Sequence, residues 1–476
     1  MKIYSFTREG LNLVPFEVEV NFMPGLPQIQ IMGQPDQIIK ESQLRIKSAL
    51  QKQGFSFPKA KQILVNLKPS YIKKKSQGLD LAIACGYLFA SGQVPVPSAD
   101  KDIYIYGELG LDGHVYMPED FDLLDDYSDK YLLTGFTAKA TSQGYYSLNE
   151  LKNLNEPDYQ QSSDNLKSFI RPETNNIYLS KPMARLLQII TVGEHSTLLA
   201  GPAGSGKSTF AELVPSFLKP PNKEQAFDIT KFSRMFQKKQ NWRPIVMPHH
   251  TIPKISMVGG GNYLSPGEIT RAHNGVLLLD ELLEFSTPVK EALREPIEKG
   301  CIHIARRSRY HKFPSDFLLI STTNLCPCGD MSPGKMGRCR FSLRKCQSYI
   351  EKLSGPLLDR FQILSFSYEW GGNKEVYAPD LLPEVLEAQS FATEVRGQEK
   401  PNAKLNLAEA TDALSTKAKS LFELKEFKSQ RRRLATLRVS RSIADLAGST
   451  EVEFDHISQA YKYCEGPFKQ IQSIFS

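Results

Sequence analysis

Residues 201–208 read GPAGSGKS. Glycines at this spacing let main-chain N–H groups wrap phosphate oxygens, the lysine reaches the β and γ phosphates, and the final hydroxyl binds Mg²⁺. The loop residues are Gly201, Pro202, Ala203, Gly204, Ser205 and Gly206, followed by Lys207, Ser208 and Thr209. An apolar strand over Thr197–Ala200 precedes them and a helical pattern over 209–214 follows. That is the strand, loop and helix setting the chemistry requires, and it predicts ATP and Mg²⁺ as ligands.

The remaining parts of a hydrolytic site follow in order. The apolar run 276–279 ends in Asp280 and Glu281. A carboxylate at a strand end can hold Mg²⁺ through water, and the next can orient and activate the attacking water. A third apolar strand over 317–323 ends in Asn324, whose amide suits sensing the γ-phosphate; an ordinary strand-ending turn residue is the alternative reading. Arg360, in SGPLLDRF, can neutralise charge on a transferring phosphoryl group, supplied from a neighbouring subunit. Arg431 opens an RRR run and is a candidate second phosphate sensor, although chemistry alone does not choose among Arg431, Arg432 and Arg433.

These groups need scaffolds to hold them. The 476 residues suffice for two to four domains, and the 41% hydrophobic and 23% charged content is that of soluble globular protein. No apolar run is long enough to span a bilayer, and MKIYSFTREG has no export signal, so a cytoplasmic protein without a membrane partner is expected. Seven cysteines in a chain this long do not make a disulfide scaffold.

Residues 1–118 read as an α/β domain, with strands at 16–20, 29–32 and 63–67 and helices at 37–54 and 79–90. Residues 119–175 read as a reduced acidic segment and linker; ten acidic residues face three Lys between 119 and 164. Residues 176–375 alternate strand and helix signals, which implies a parallel sheet with helices on its faces. Residues 376–476 read as a helical lid, with apolar helical spacing at 381–391, 405–421 and 434–446.

Net charge is +7, mild for this length, but between 301 and 346 nine Lys and Arg face only two Asp. Residues 301–313, CIHIARRSRYHKF, alternate as a strand should, with Ile302 and Ile304 on one side and His303 and Ala305 on the other. Arg306, Arg307, Arg309 and Lys312 would crowd the following tip, where cations can track a phosphate backbone without reading bases. A solvated turn is the plainer reading. Tyr263, in the glycine-rich loop 259–267, is a second candidate for contact with a base. Cys326, Cys328, Cys339 and Cys346 could supply a tetrahedral structural Zn²⁺ site, against free thiols in a basic loop.

The stretches RPIVMPHH, VGGG, PGEITRAHNGVLLLDEL, LREPIEKG, CPCG, SGPLLDRF and RVSRSIADL together resemble the magnesium-chelatase-like AAA+ ATPases, in the branch called ComM or YifB. GLPQIQIMGQPDQIIKES and GLDLAIACGYLFASGQ are similar to that family's opening domain, which shares its fold with the Lon protease domain. The resemblance covers nearly the whole chain. It implies Walker A at 201–208, Walker B at Asp280 and Glu281, sensor 1 at Asn324, an arginine finger at Arg360, sensor 2 at Arg431, and a homo-hexameric ring with ATP between subunits. It also implies a hairpin before the sensor strand that points into the pore.

Three features depart from the family pattern: the acidic segment after GELGLDGHVY is short, Leu325 follows Asn324 where proline is usual, and Cys339 and Cys346 are spread apart. The function expected is an ATP-driven helicase or branch-migration motor on single-stranded or branched DNA, in recombination or natural transformation. The alternative is a chelatase-type ATPase that remodels a protein partner. Proteolysis is disfavoured, because Ser76 in KKKSQGLD is out of register with the nucleophile position of a serine–lysine dyad.

Overall fold

A computed structural model describes residues 2–9, 12–33, 37–69, 78–97, 102–124, 127, 129–138, 141, 143–161, 169–236, 241–261, 265–306, 309–331, 341–353 and 355–473. The chain forms two compact units. One is Met1–Ser168 with Arg234–Lys238, the other Phe169–Ser233 with Lys239–Ser476. No helix among the described residues is long and apolar enough to cross a membrane.

The first unit is built on an eight-stranded mixed sheet. Its order is Asp158–Gln160, Tyr145–Leu148, Tyr131–Gly135, Ile103–Ile105, Lys2–Glu9, Asn12–Pro24, Lys61–Lys68 and Ile29–Met32. Helices Gln37–Lys52 and Leu79–Ala90 accompany it, and the second buries its first eleven residues in the core. The acidic stretch is more structured than its charge suggests. Three strands between 131 and 160 extend this same sheet, and all five residues of Tyr131–Gly135 are buried. Ser76, weighed above against a protease nucleophile, lies outside the described residues.

The second unit carries a five-stranded, wholly parallel sheet in the order Ile245–Val246, Val276–Leu279, Leu318–Thr323, Thr197–Ala200 and Ile363–Phe366. Alternate residues feed two cores. Leu199, Leu278 and Ile320 pack into one, while Leu198, Leu277 and Leu319 pack into the other. A sheet covered on both faces explains why these strands read as unbroken apolar runs. Beyond it the chain is mostly helical: Leu382–Ser390, Leu407–Asp412, Thr416–Leu424, Gln430–Leu446, Phe454–Cys464 and Gly466–Ser473. The spacing over 405–421 suggested one helix, but two form. Asn406 and Ser415 each cap a start, accepting from the N–H groups of Glu409 and Ala418.

Candidate nucleotide site

In a parallel sheet, ligands gather where strands end at their carboxyl edge. Three such ends meet here. Thr197–Ala200 runs straight into the glycine loop, and the Gly201 N–H donates to the Thr323 carbonyl at 3.1 Å. Gly201 has φ +155, and a Cβ there would come within 2.0 Å of the Ser367 hydroxyl, so only glycine fits this close approach. Gly206, at φ +85, precedes helix Lys207–Leu213, and space in front of it is open.

Lys207 is buried, and its ammonium donates to the carbonyls of Gly201 (3.0 Å) and Pro202 (2.7 Å) and to Asn324 Oδ1 (3.2 Å). Burial lowers its pKa, while the carboxylates of Asp280 and Glu281 work the other way. The expected phosphate lysine and sensor amide are therefore in direct contact. The Ser208 hydroxyl donates to Asp280 Oδ1 at 2.8 Å, and Thr322 donates to the same oxygen. Hydroxyl and carboxylate oxygens so placed are the hard donors Mg²⁺ takes, with water completing its shell. Glu281 is exposed and held by its backbone in the left-handed region, at φ 54, with its N–H donating to Thr322 Oγ1 at 3.1 Å. A non-glycine residue there costs about 1–3 kcal/mol, and such strain concentrates at functional sites.

The arginines stand elsewhere. Arg360 precedes strand Ile363–Phe366, and its carbonyl accepts from Ser196, the residue before the Walker A strand, at 3.1 Å. Arg360 thus lies at the amino edge of the sheet and the glycine loop at the carboxyl edge, separated by a four-residue strand of about 13 Å. Arg431 joins Arg360 at that far edge: both guanidinium groups bond Glu298 Oε1, Arg360 at 2.8 Å. They line a cleft of about 610 Å³ with Ser196, Gln362 and Lys404.

Three family models match in succession: subunit ChlI of Mg-chelatase over residues 18–120, magnesium chelatase subunit ChlI over 175–369, and the ChlI C-terminal region over 380–464. The competence protein ComM of Haemophilus influenzae is 30% identical across 97% of this chain and 96% of that one. This chain belongs to the ChlI-type family, in its ComM/YifB branch. YifB of Escherichia coli is 29% identical over 95% of both chains, and YifB of Salmonella typhimurium 31% over 74% of this chain and 73% of that one. Membership in the ChlI-type family makes the chain an AAA+ ATPase that uses ATP and Mg²⁺.

Within this ChlI-type chain the structure separates the three consecutive arginines. Arg432 is 1% exposed and spends its guanidinium on the carbonyls of Asp359 (2.8 Å), Phe361 and Cys464 (3.3 Å). It stacks on Phe468 and is a structural residue. Arg433 lies over the Phe422 ring at 5.0 Å. Only Arg431 shares the cleft partner of Arg360.

The CPCG turn carries two of the four cysteines expected to bind zinc, and it touches the phosphate loop. The Ala203 N–H donates to the Gly329 carbonyl at 2.8 Å. Cys326 and Cys328 sulfurs approach to 3.1 Å, and Cys326 and Cys346 are buried in the core beneath. No group of three or more His, Cys, Asp or Glu that could hold a metal occurs among the described residues, and Cys339 lies outside them.

The basic hairpin forms as expected. Cys301–Arg306 pairs antiparallel with Arg309–Pro314, Ile302 is buried and His303 exposed. Lys312 is exposed beside His303, while Arg307 and Tyr263 lie outside the described residues. Sequence reasoning missed Thr322, Gly329 and Glu298. Thr322 left one signal, a polar residue inside a buried strand; Glu298 left none, since its partners are distant in the chain.

Proposed function

We propose that this chain is a DNA motor that works as a homo-hexameric ring, hydrolysing ATP between neighbouring copies to drive strand displacement or branch migration in recombination or natural transformation. The observation that carries the reading is the separation of Arg360 and Arg431 from the glycine loop of their own chain. Two phosphate-directed arginines on the opposite edge of the sheet serve a site only if that site belongs to another copy. A face that donates arginines and a face that receives them are different surfaces, and a heterologous contact of this kind closes into a ring.

In that ring, the loop amides and Lys207 bind the β and γ phosphates, and Asn324 aligns the terminal one. Glu281 takes a proton from the attacking water. Ser208 and Asp280 would hold Mg²⁺, which would supply positive charge to offset that of the phosphates. Arg360 and Arg431 of the next copy stabilise the charge that develops on the transferred group.

The DNA assignment draws on the hairpin and on the competence role named for the Haemophilus relative. The sequence gathers four cations, Arg306, Arg307, Arg309 and Lys312, within seven residues of the stretch that forms this hairpin, a composition suited to sequence-independent contact with phosphates. The test is the ATPase rate with no DNA and with single-stranded, duplex or branched DNA. Stimulation by single-stranded or branched DNA, lost in Arg306→Ala/Arg307→Ala, supports the reading. A rate indifferent to every DNA overturns it in favour of a chelatase-type ATPase acting on a protein partner.

A further inference from the structure

Helix Arg294–Lys299 is only six residues long, yet it touches both halves of the proposed machine. Glu298 accepts from Arg360 at 2.8 Å and from Arg431. One of those arginines precedes a strand of the central sheet, and the other sits near the start of the lid helix Gln430–Leu446. Three positions earlier, on the same side of the helix, Glu295 accepts from His303 Nδ1 on the hairpin at 2.8 Å and from Lys299 at 3.3 Å. These bonds to His303 and Lys299 hold the Glu295 carboxyl below its ordinary range, although burial pulls the other way.

The covalent connection is equally short. The helix stops at Gly300, in the left-handed region at φ +63, and the hairpin strand starts at the next residue. The Ser315 N–H, just past the second hairpin strand, donates to the Gly300 carbonyl at 2.8 Å. Ile302 and Phe313, opposite one another at the hairpin base, are buried at 3% and 1%. The base is therefore fixed to the body at the point where the helix joins it, and a small rotation of the helix is carried into the ribbon.

We propose that helix Arg294–Lys299 is the transmission element of the motor: Glu298 positions Arg360 and Arg431, and Glu295 relays their state to the hairpin through His303. The inference rests on the ring reading above. Glu298 stands in for the phosphate, holding two cations converged on one point. When a neighbour's γ-phosphate offers more negative charge, the arginines transfer to it, and the helix loses two charge-assisted hydrogen bonds together. Glu298 and Glu295 are positioning residues; neither touches nucleotide.

The test is hydrogen exchange of the full chain with and without the slowly hydrolysed analogue ATPγS and Mg²⁺, without DNA. In wild type, protection of 201–208 reports binding, and exchange across 301–306 and 309–314 shifts at the same time. In Glu295→Ala and in His303→Ala, 201–208 is still protected and the hairpin shift falls by about half or more, since one of two links is cut. In Glu298→Gln the shift is lost, and Glu298→Asp restores part of it. A hairpin unmoved by nucleotide in the wild type, or moved equally in Glu295→Ala and His303→Ala, overturns the proposal. If exchange behaves as expected but DNA never stimulates hydrolysis, the DNA reading fails and the transmission stands.

Discussion

The N–H of Ala203, inside the phosphate loop, donates to the carbonyl of Gly329 at 2.8 Å. The loop is thus braced from outside by the CPCG turn. Gly329 has φ +78, and a Cβ there would lie 2.8 Å from the Ala203 Cβ. Gly329→Val is expected to displace the loop, raising KM for ATP about tenfold and destabilising the unit by about 1–3 kcal/mol. ATP titration and thermal unfolding read the two effects. Wild-type KM would show that the brace has no bearing on nucleotide binding.

The two proposed Walker elements should separate binding from chemistry. Lys207→Ala is expected to abolish ATP binding. Glu281→Gln should retain binding and slow hydrolysis by about 10²–10⁴-fold, the usual contribution of a positioned general base. Asp280→Asn weakens one of the two Mg²⁺ donors, so its rate should need more Mg²⁺ to saturate. Equal loss of binding in all three would contradict these roles.

Arg431 and Arg432 are adjacent but should fail differently. Arg432→Ala leaves buried carbonyls of Asp359, Phe361 and Cys464 without a donor, which predicts a loss of about 3 kcal/mol in stability. Arg431 is half exposed, so Arg431→Ala should melt within about 1 °C of wild type while its ATPase falls at least about tenfold. Calorimetry beside a rate assay distinguishes them.

Buried His195 predicts a pH effect on stability. Its Nδ1 faces Gln362 Oε1 at 2.5 Å and its Nε2 faces Ser442 Oγ at 2.7 Å, and burial pushes its pKa from 6.5 down to about 4. Between those values the unfolded chain binds a proton that the folded chain does not. The neutral ring's contribution is intact above pH 6.5 and is lost as pH falls toward 4, about 3 kcal/mol in all. His195→Gln should flatten that part of the slope in urea melts at pH 7.5 and 5. An unchanged slope would mean that His195 is not the group responsible.

What was legible in the sequence was what is contiguous there. The loop 201–208, the Asp280–Glu281 pair and Asn324 each sit at the end of an apolar strand, and the parallel sheet brings those ends together. Contacts made across the fold were not legible. Glu298 lies 133 positions from Arg431, and no local pattern marks the pair. In CPCG the cysteines drew attention, but the glycine is what meets the phosphate loop. The strands between 131 and 160 were hidden because acidic residues around them dominate the composition, although Tyr131–Gly135 is buried throughout and Tyr145–Leu148 nearly so; the edge strand Asp158–Gln160 is itself polar and largely exposed.

The central claim is that Arg360 completes a site in another copy. Lys207→Ala and Arg360→Ala chains, each inactive alone, should recover ATPase when mixed in equal amounts. At a heterologous interface about a quarter of the junctions then pair an intact loop with an intact arginine, so about a quarter of the wild-type rate is expected. A mixture as inactive as its parts would contradict the account.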